Sequence, residues 1–239
     1  LESRGVRLPG AAEGAGHRVW LAGPVTLHGR EVLVPADFSS AAFFIVAACL
    51  AARDGLTIEN VGINPTRTGL LTILREMGAR IELRNERSLG AEPVADLWVE
   101  QSRLRGIVVR PELVPLAIDE FPILFTAPGA AEGETIVSGA DELRKKETDR
   151  IAVMARALHA LGVEVEERPD GARIVGGRIG GGAVDSRGDH RVAMSFAVAS
   201  LRAAAPIEIL NTAEVATSFP SFLDVARAAG LTVRTEDAA

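Results

Sequence analysis

The chemistry open to this chain is concentrated in three polar strings, each set directly before an apolar stretch. The densest is Glu142-Leu143-Arg144-Lys145-Lys146-Glu147-Thr148-Asp149-Arg150, ahead of a helical pattern carried by Ile151, Met154, Ala155, Leu158 and Leu161. Glu147 and Arg150 are three apart and Lys146 and Arg150 four apart, so a helix whose first turn includes them sets all three on one side. Helix amino termini carry unpaired N–H groups and positive potential, and Lys and Arg add charge-assisted bonds. The string therefore suits phosphate or carboxylate oxygens. A solvated helix start capped by Thr148 or Asp149 gives the same pattern with no ligand. The second string, Arg187-Gly188-Asp189-His190-Arg191, precedes Val192, Ala193, Phe196 and Ala197. There Asp189 can cap a helix and Arg191 can stand in its first turn, although an ordinary capped helix with a surface arginine reads the same way. The third centres on Asp119, with Leu113, Val114, Leu116, Ala117 and Ile118 before it and Phe121, Pro122, Ile123 and Leu124 after it. A carboxylate so embedded is expected to be partly desolvated, with a raised proton affinity that lets it take a proton from a substrate hydroxyl. The alternative is an N-cap with Pro122 in the first turn. His190 reads as a hydrogen-bonded structural histidine. Neither His17, His28, His159 nor Cys49 stands at ligand spacing with it, so no metal is expected.

These strings have to be positioned by a repeat. Acidic turns at Asp37-Phe38-Ser39-Ser40, Asp119-Glu120-Phe121-Pro122 and Asp189-His190-Arg191 each open an apolar helix, with starts 82 and then 70 residues apart. A second set of helix starts at Thr66, Thr148 and Ser218 falls 82 and then 70 residues apart as well. Between the members of each copy lies a β-like phrase: Leu56 to Val61, Glu134 to Ser138 and Pro206 to Leu210. Each second helix ends at a glycine, Gly78, Gly162 or Gly230, and alternating residues follow. Arg80 to Leu83 returns through Asp96 to Glu100, and Val163 to Glu167 returns through Ala172 to Val175. Copy three has only Leu231 to Thr235 before the sequence stops. The reading is an α/β fold of three βαβαββ units, the last lacking a strand and leaving an open edge to be paired or covered. Upstream, Gly5 to Leu8 and His17 to Leu21 read as the tail hairpin of an earlier copy, with Val25 to Arg30 as connector. Residues 1–30 are thus assigned to a missing preceding domain and 31–239 to the domain proper. The glycine-rich run Gly176 to Ala183 lacks the Gly-Lys-Ser/Thr ending of a phosphate loop and is expected to be a flexible connector.

Composition narrows the function. The 239 residues are 47% apolar, 24% charged and 4% aromatic, which describes one sizeable globular domain or two small ones and excludes disordered, collagenous and disulfide-scaffold chains. A net charge of −6 argues against general nucleic-acid or membrane-surface binding while leaving an anionic small molecule possible. The apolar run Ala41 to Ala52 has twelve residues, short of the roughly 20 a membrane span needs. Cys49 inside it reads as a small core residue, compatible with a reducing compartment. The start LESRGVRLPG lacks the basic and apolar regions of a signal peptide, so a cytoplasmic location is expected.

The strings Ile118-Asp119-Glu120-Phe121-Pro122, Leu143-Arg144-Lys145-Lys146-Glu147-Thr148-Asp149-Arg150, Gly188-Asp189-His190-Arg191 and Thr217-Ser218-Phe219-Pro220 resemble, in order and spacing, those of the EPSP synthase (3-phosphoshikimate 1-carboxyvinyltransferase) family. The resemblance covers nearly the whole chain. It implies two domains, each of three βαβαββ units about a pseudo-threefold axis (an inside-out barrel), with helix amino termini aimed into the cleft between them. This chain resembles the carboxy-terminal domain, whose missing strand the family supplies from the start of its chain; the partner it implies is the missing amino-terminal domain. The resemblance implies that Asp119 contacts the ring hydroxyl of shikimate-3-phosphate and helps remove its proton, and that Lys146 lies near the same substrate. It makes Glu147 the acid/base at the enolpyruvyl methylene, Arg150 and Arg191 the guanidiniums that bind phosphoenolpyruvate, and Asp189 and His190 supporting residues. The enolpyruvyl group would move to the 5-hydroxyl with release of phosphate, in the shikimate pathway to chorismate and the aromatic amino acids, with no cofactor or metal. The isolated chain would be inactive without its partner. Two positions depart from the family: Thr217 stands where many members have a lysine, and Glu142 where some have an asparagine. Two other readings stay open. One is a UDP-N-acetylglucosamine enolpyruvyl transferase, which the lysine-glutamate and aspartate-histidine-arginine strings speak against. The other is a noncatalytic assembly domain.

Overall fold

Three helices that are apolar on every side have to be buried on every side, and they form the centre of the molecule. The structure, a computed structural model, describes residues 26, 28, 29 and 31–236, and from Pro35 onward the chain forms one compact unit. The hairpin expected at Gly5 to Leu8 and His17 to Leu21 lies outside the described residues, as do Val25, Leu27 and Arg30 of the connector. In unit one, helix α1 (Phe38–Ala51) starts at Asp37, whose carboxylate accepts from the Ser40 amide at 2.8 Å. It leads through strand β1 (Leu56–Gly62) and helix α2 (Gly69–Glu76) into the hairpin β2 (Arg80–Leu89) and β3 (Glu92–Glu100). Unit two repeats the order as α3 (Phe121–Gly129), β4 (Glu134–Val137), α4 (Arg150–Ala160), β5 (Glu164–Arg168) and β6 (Gly171–Val175). Unit three runs β7 (Gly182–Asp185), α5 (His190–Ala199), β8 (Ile207–Leu210), a short α6 (Glu214–Ser218) and α7 (Phe222–Ala228).

Helices α1, α3 and α5 touch one another pairwise, so each unit contributes its first helix to a shared core. Ile45, Phe121, Phe125 and Phe196 are all but inaccessible there, each such large side chain stabilising the fold by about 1.5–3 kcal/mol. Helix α7 closes over α1 through aromatic edges: the Phe222 ring lies 6.1 Å from Phe43 and 6.0 Å from Phe44. Cys49 is buried in this core, and burial pushes its thiol pKa up to about 12.

Around the helices stand three sheets, in strand orders β1-β3-β2, β4-β6-β5 and β7-β8. The opening strand of each unit pairs parallel with the strand after the first helix. In units one and two it shrinks to the isolated bridges Ala36–Val61 and Val108–Ile136, and only in unit three is it a full strand, β7. The left-handed glycines Gly78, Gly162 and Gly230, at φ +99, +80 and +94, end the second helices where the sequence puts them. Those helices start later than Thr66 and Ser218, at Gly69 and Phe222, and α6 is an additional turn.

Two expectations need correction. Leu231 to Thr235 forms no strand. In units one and two the strand following the second helix bonds only to the returning hairpin strand, β3 or β6, and among the described residues no such strand stands beside the third. The glycine run is also no loose connector. A Cβ on Gly176 would lie 2.1 Å from the Ala131 carbonyl oxygen and one on Gly180 2.7 Å from that of Leu161, while both amides donate to backbone carbonyls at 2.7 Å. Glycine is required there for close backbone approach, and Gly182 already belongs to β7. Among the described residues no helix is long and apolar enough to cross a membrane.

Candidate active site

The amino ends of α1, α3, α4 and α5 meet in one polar network. Asp189 caps α5, its Oδ1 accepting from the amides of Arg191 at 2.9 Å and Val192 at 3.4 Å. Its other oxygen accepts from Arg150 Nε at 2.9 Å and from the Thr148 hydroxyl at 3.1 Å. Asp189 is fully buried and Arg150 only 1% exposed, so this is an interior ion pair joining units two and three. The Asp189 carboxyl is held below the usual carboxylate range: burial pushes it up, and the Arg150 guanidinium with the Arg191 amide and the Thr148 hydroxyl more than offsets this. Arg150 Nη2 also meets Glu147 Oε2 at 2.6 Å.

Asp119 is the hub on the accessible side. Lys146 Nζ lies 3.1 Å from its Oδ1 and Arg150 Nη1 lies 3.9 Å from the same oxygen, while Arg191 Nη1 donates to its backbone carbonyl at 2.8 Å. Lys146 is shared with Glu142 Oε1 at 3.0 Å. Its pKa is raised, first by the bond to Glu142 and also by Asp119, although partial burial opposes this.

The sequence strings therefore converge: Asp119, Lys146, Glu147, Arg150, Asp189, His190 and Arg191 all belong to this one region. The details differ from expectation in four ways. Asp119 is not an N-cap; it sits in the 3-10 turn Ile118–Glu120, and α3 begins after it with no side-chain cap. Its carboxyl pKa is lowered, not raised: burial does push it up, but Lys146, Arg191 and Arg150 together outweigh burial. Helix α4 begins only at Arg150, capped by Asp149 through the Ala152 amide at 3.0 Å. Lys146 and Glu147 thus lie in the turn before it and meet Arg150 by the folding back of that turn, not by helical spacing. His190, at the first position of α5, has no side-chain hydrogen bond among the described residues; burial lowers its pKa, with Arg191 and Arg150 adding to this against Asp189 and Glu147.

The sequence strings did not single out three further members. Glu120, 3% exposed, accepts from the Ser39 hydroxyl at 2.6 Å and lies 3.5 Å from Arg191 Nη1. Arg67 Nη2 donates to the same Ser39 hydroxyl at 3.0 Å. The signal was present in part, since Ser39 and Glu120 flank helix starts one repeat apart. Their 81-residue separation hid the contact. Thr217, the family departure, lies exposed in α6.

A family model described as EPSP synthase (3-phosphoshikimate 1-carboxyvinyltransferase) matches residues 4–226. The 3-phosphoshikimate 1-carboxyvinyltransferase of Alkalilimnicola ehrlichii is 56% identical over 224 residues, which is 93% of this chain and 50% of the relative. That of Legionella pneumophila is 56% identical over 199 residues, 83% of this chain and 46% of the relative. Among solved structures, EPSP synthase from Acinetobacter baumannii superposes with a TM-score of 0.85 at 48% identity, over 90% of this chain and 50% of that one. The enolpyruvyl transferase NikO from Streptomyces tendae, at TM-score 0.57 and 17% identity over 82% of this chain and 43% of that one, shares the fold. The chain spans about half the length of the relatives it matches.

Proposed function

Because the chain belongs to the EPSP synthase family, we propose that it forms one half of a 3-phosphoshikimate 1-carboxyvinyltransferase, working opposite an amino-terminal domain of which residues 1–30 are the tail hairpin and connector. A cytoplasmic location goes with this reading. The observation that supports it best is the convergence of Lys146, Arg150 and Arg191, cations from two units, on the single residue Asp119.

In this reading Arg191, aided by Arg150, binds phosphoenolpyruvate, and Lys146 with Asp119 holds the ring hydroxyl of shikimate-3-phosphate. Asp119, kept ionised by its cations, accepts the hydrogen bond of that hydroxyl and orients its oxygen toward C2 of phosphoenolpyruvate. Glu147 gives a proton to the C3 methylene as the oxygen attacks C2, which leaves a tetrahedral phosphate-bearing carbon. Glu147 then takes a proton back from the new methyl group while the C2–O bond to phosphate breaks. Asp119 takes the hydroxyl proton as the O–C2 bond forms and passes it to the departing inorganic phosphate, so both carboxylates end as they began. Fixed guanidiniums stabilise the moving negative charge throughout. Arg150 is largely spent on Asp189 and Glu147, which makes Arg191 the principal anion ligand.

The test is a chimera in which this chain follows the amino-terminal half of the Alkalilimnicola ehrlichii enzyme. Phosphate release should require both shikimate-3-phosphate and phosphoenolpyruvate, and Glu147→Gln should lower kcat by about 10²-fold or more. Full activity in Glu147→Gln would refute its acid/base role. Turnover that requires the nucleotide sugar would favour the UDP-N-acetylglucosamine enzyme, and association of the halves without turnover would favour an assembly domain.

A further inference from the structure

Glu120 has no part in the reaction just described, yet among the described residues it is one of the few charged side chains that are buried, and it lies where all three units meet. Its carboxylate is reached from unit one by the Ser39 hydroxyl at 2.6 Å, which itself accepts from Arg67 at 3.0 Å. From unit three it is reached by Arg191 Nη1 at 3.5 Å. The same Nη1 donates to the Asp119 carbonyl at 2.8 Å, so two adjacent residues of unit two hold one terminal nitrogen of the guanidinium. Among the described residues the Nε and Nη2 of Arg191 donate to nothing, and the side chain remains 17% exposed. A guanidinium gripped at Nη1, with Nε–H and Nη2 left open side by side, is set for bidentate capture of an anion.

We propose that Glu120 is a positioning residue, whose buried carboxylate holds the Arg191 guanidinium in the orientation that binds an anionic substrate and ties that orientation to Ser39 and Arg67 of unit one. Asp119 sits next in sequence, and burial with its negative charge raises the Glu120 pKa while Ser39, Arg191 and Arg67 oppose the rise. The carboxylate is therefore kept in an unfavourable setting that its three partners make tolerable. The kinetic part of the proposal rests on the functional reading above; the structural part does not.

The sign of the effect separates positioning from simple electrostatics. Glu120→Gln removes a negative charge beside the anion site, so charge alone predicts a lower KM for phosphoenolpyruvate. Loss of positioning predicts a higher one. In the chimera, Glu120→Gln should raise the phosphoenolpyruvate KM about tenfold with kcat within about threefold. Ser39→Ala should move KM the same way by less, and combination of Glu120→Gln with Arg191→Lys should be no worse than Arg191→Lys alone. An unchanged or lowered KM, or a loss in kcat alone, overturns the proposal. A second measurement uses the 239-residue chain itself. The Arg191 Nε–H signal in a ¹⁵N-labelled sample, assigned by its loss in Arg191→Lys, should shift and broaden in Glu120→Gln and be largely restored in Glu120→Asp. A signal identical in wild type and Glu120→Gln overturns the positioning role whether or not the chimera turns over. A wild-type chimera without turnover counts against the functional reading alone.

Discussion

Replacing Asp189 tests the interior ion pair on which the site is built. Asp189→Ala removes the charge partner of Arg150, which is only 1% exposed, and the acceptor of two helix-start amides. Breaking a buried pair from one side costs about 3–5 kcal/mol and loss of a cap about 1 kcal/mol, so a net loss near 4 kcal/mol is expected for a pair of effects that need not add. Asp189→Asn keeps an oxygen for the amides and loses only the charge, and should cost about 3 kcal/mol. Asp189→Asn combined with Arg150→Met should recover at least half of that loss. It leaves no interior charge unpaired, and Glu147, half-exposed, is solvated without its partner. The assay is urea unfolding followed by circular dichroism, with the milder asparagine variant carrying the comparison. The pH dependence supplies a second arm. Because the folded pKa of Asp189 is lowered, its contribution is complete above the unfolded value near 4 and is lost as pH falls through the still lower folded value. The acid limb of wild-type stability below about pH 4 should therefore flatten in Asp189→Asn. A cost below about 1 kcal/mol for Asp189→Asn, or a double variant as unstable as the sum of its parts, would refute the reasoning.

Two further outcomes concern the scaffold. Cys49, its thiol pKa pushed to about 12 by burial, should resist thiol reagents in the native protein and react once urea unfolds it; equal labelling rates in both states would contradict its place in α1. Gly106→Ala forces a Cβ to within 2.1 Å of the Glu134 backbone oxygen, beside the parallel bridge Val108–Ile136. It should lower unfolding free energy by about 1–3 kcal/mol, and an unchanged midpoint would contradict that close approach.

Much of the architecture was legible because it rests on local rules repeated three times. Asp37, Asp149 and Asp189 cap helices as their positions before apolar stretches indicate, and Gly78, Gly162 and Gly230 end helices in the left-handed conformation. The hairpins of units one and two follow from alternation. The misread segments depend on neighbours. Leu231 to Thr235 alternates like a strand but finds no strand to bond among the described residues, and Gly176 to Gly182 looks flexible by composition yet is packed against Ala131, Leu161 and Ala205.

At the site, the family resemblance of the polar strings indicated which residues gather but not how their charges are spent. The order of helix starts and polar strings is a property of the chain itself, since caps and periodicity act over three or four residues. Whether a carboxylate loses or gains proton affinity depends on what surrounds it across 27 to 81 residues of sequence. Asp119 meets Lys146 and is lowered, whereas its neighbour Glu120, enclosed with Ser39 and Arg191, is raised. Desolvation and Coulomb attraction act through distance in space, and only the packing of the three units sets those distances.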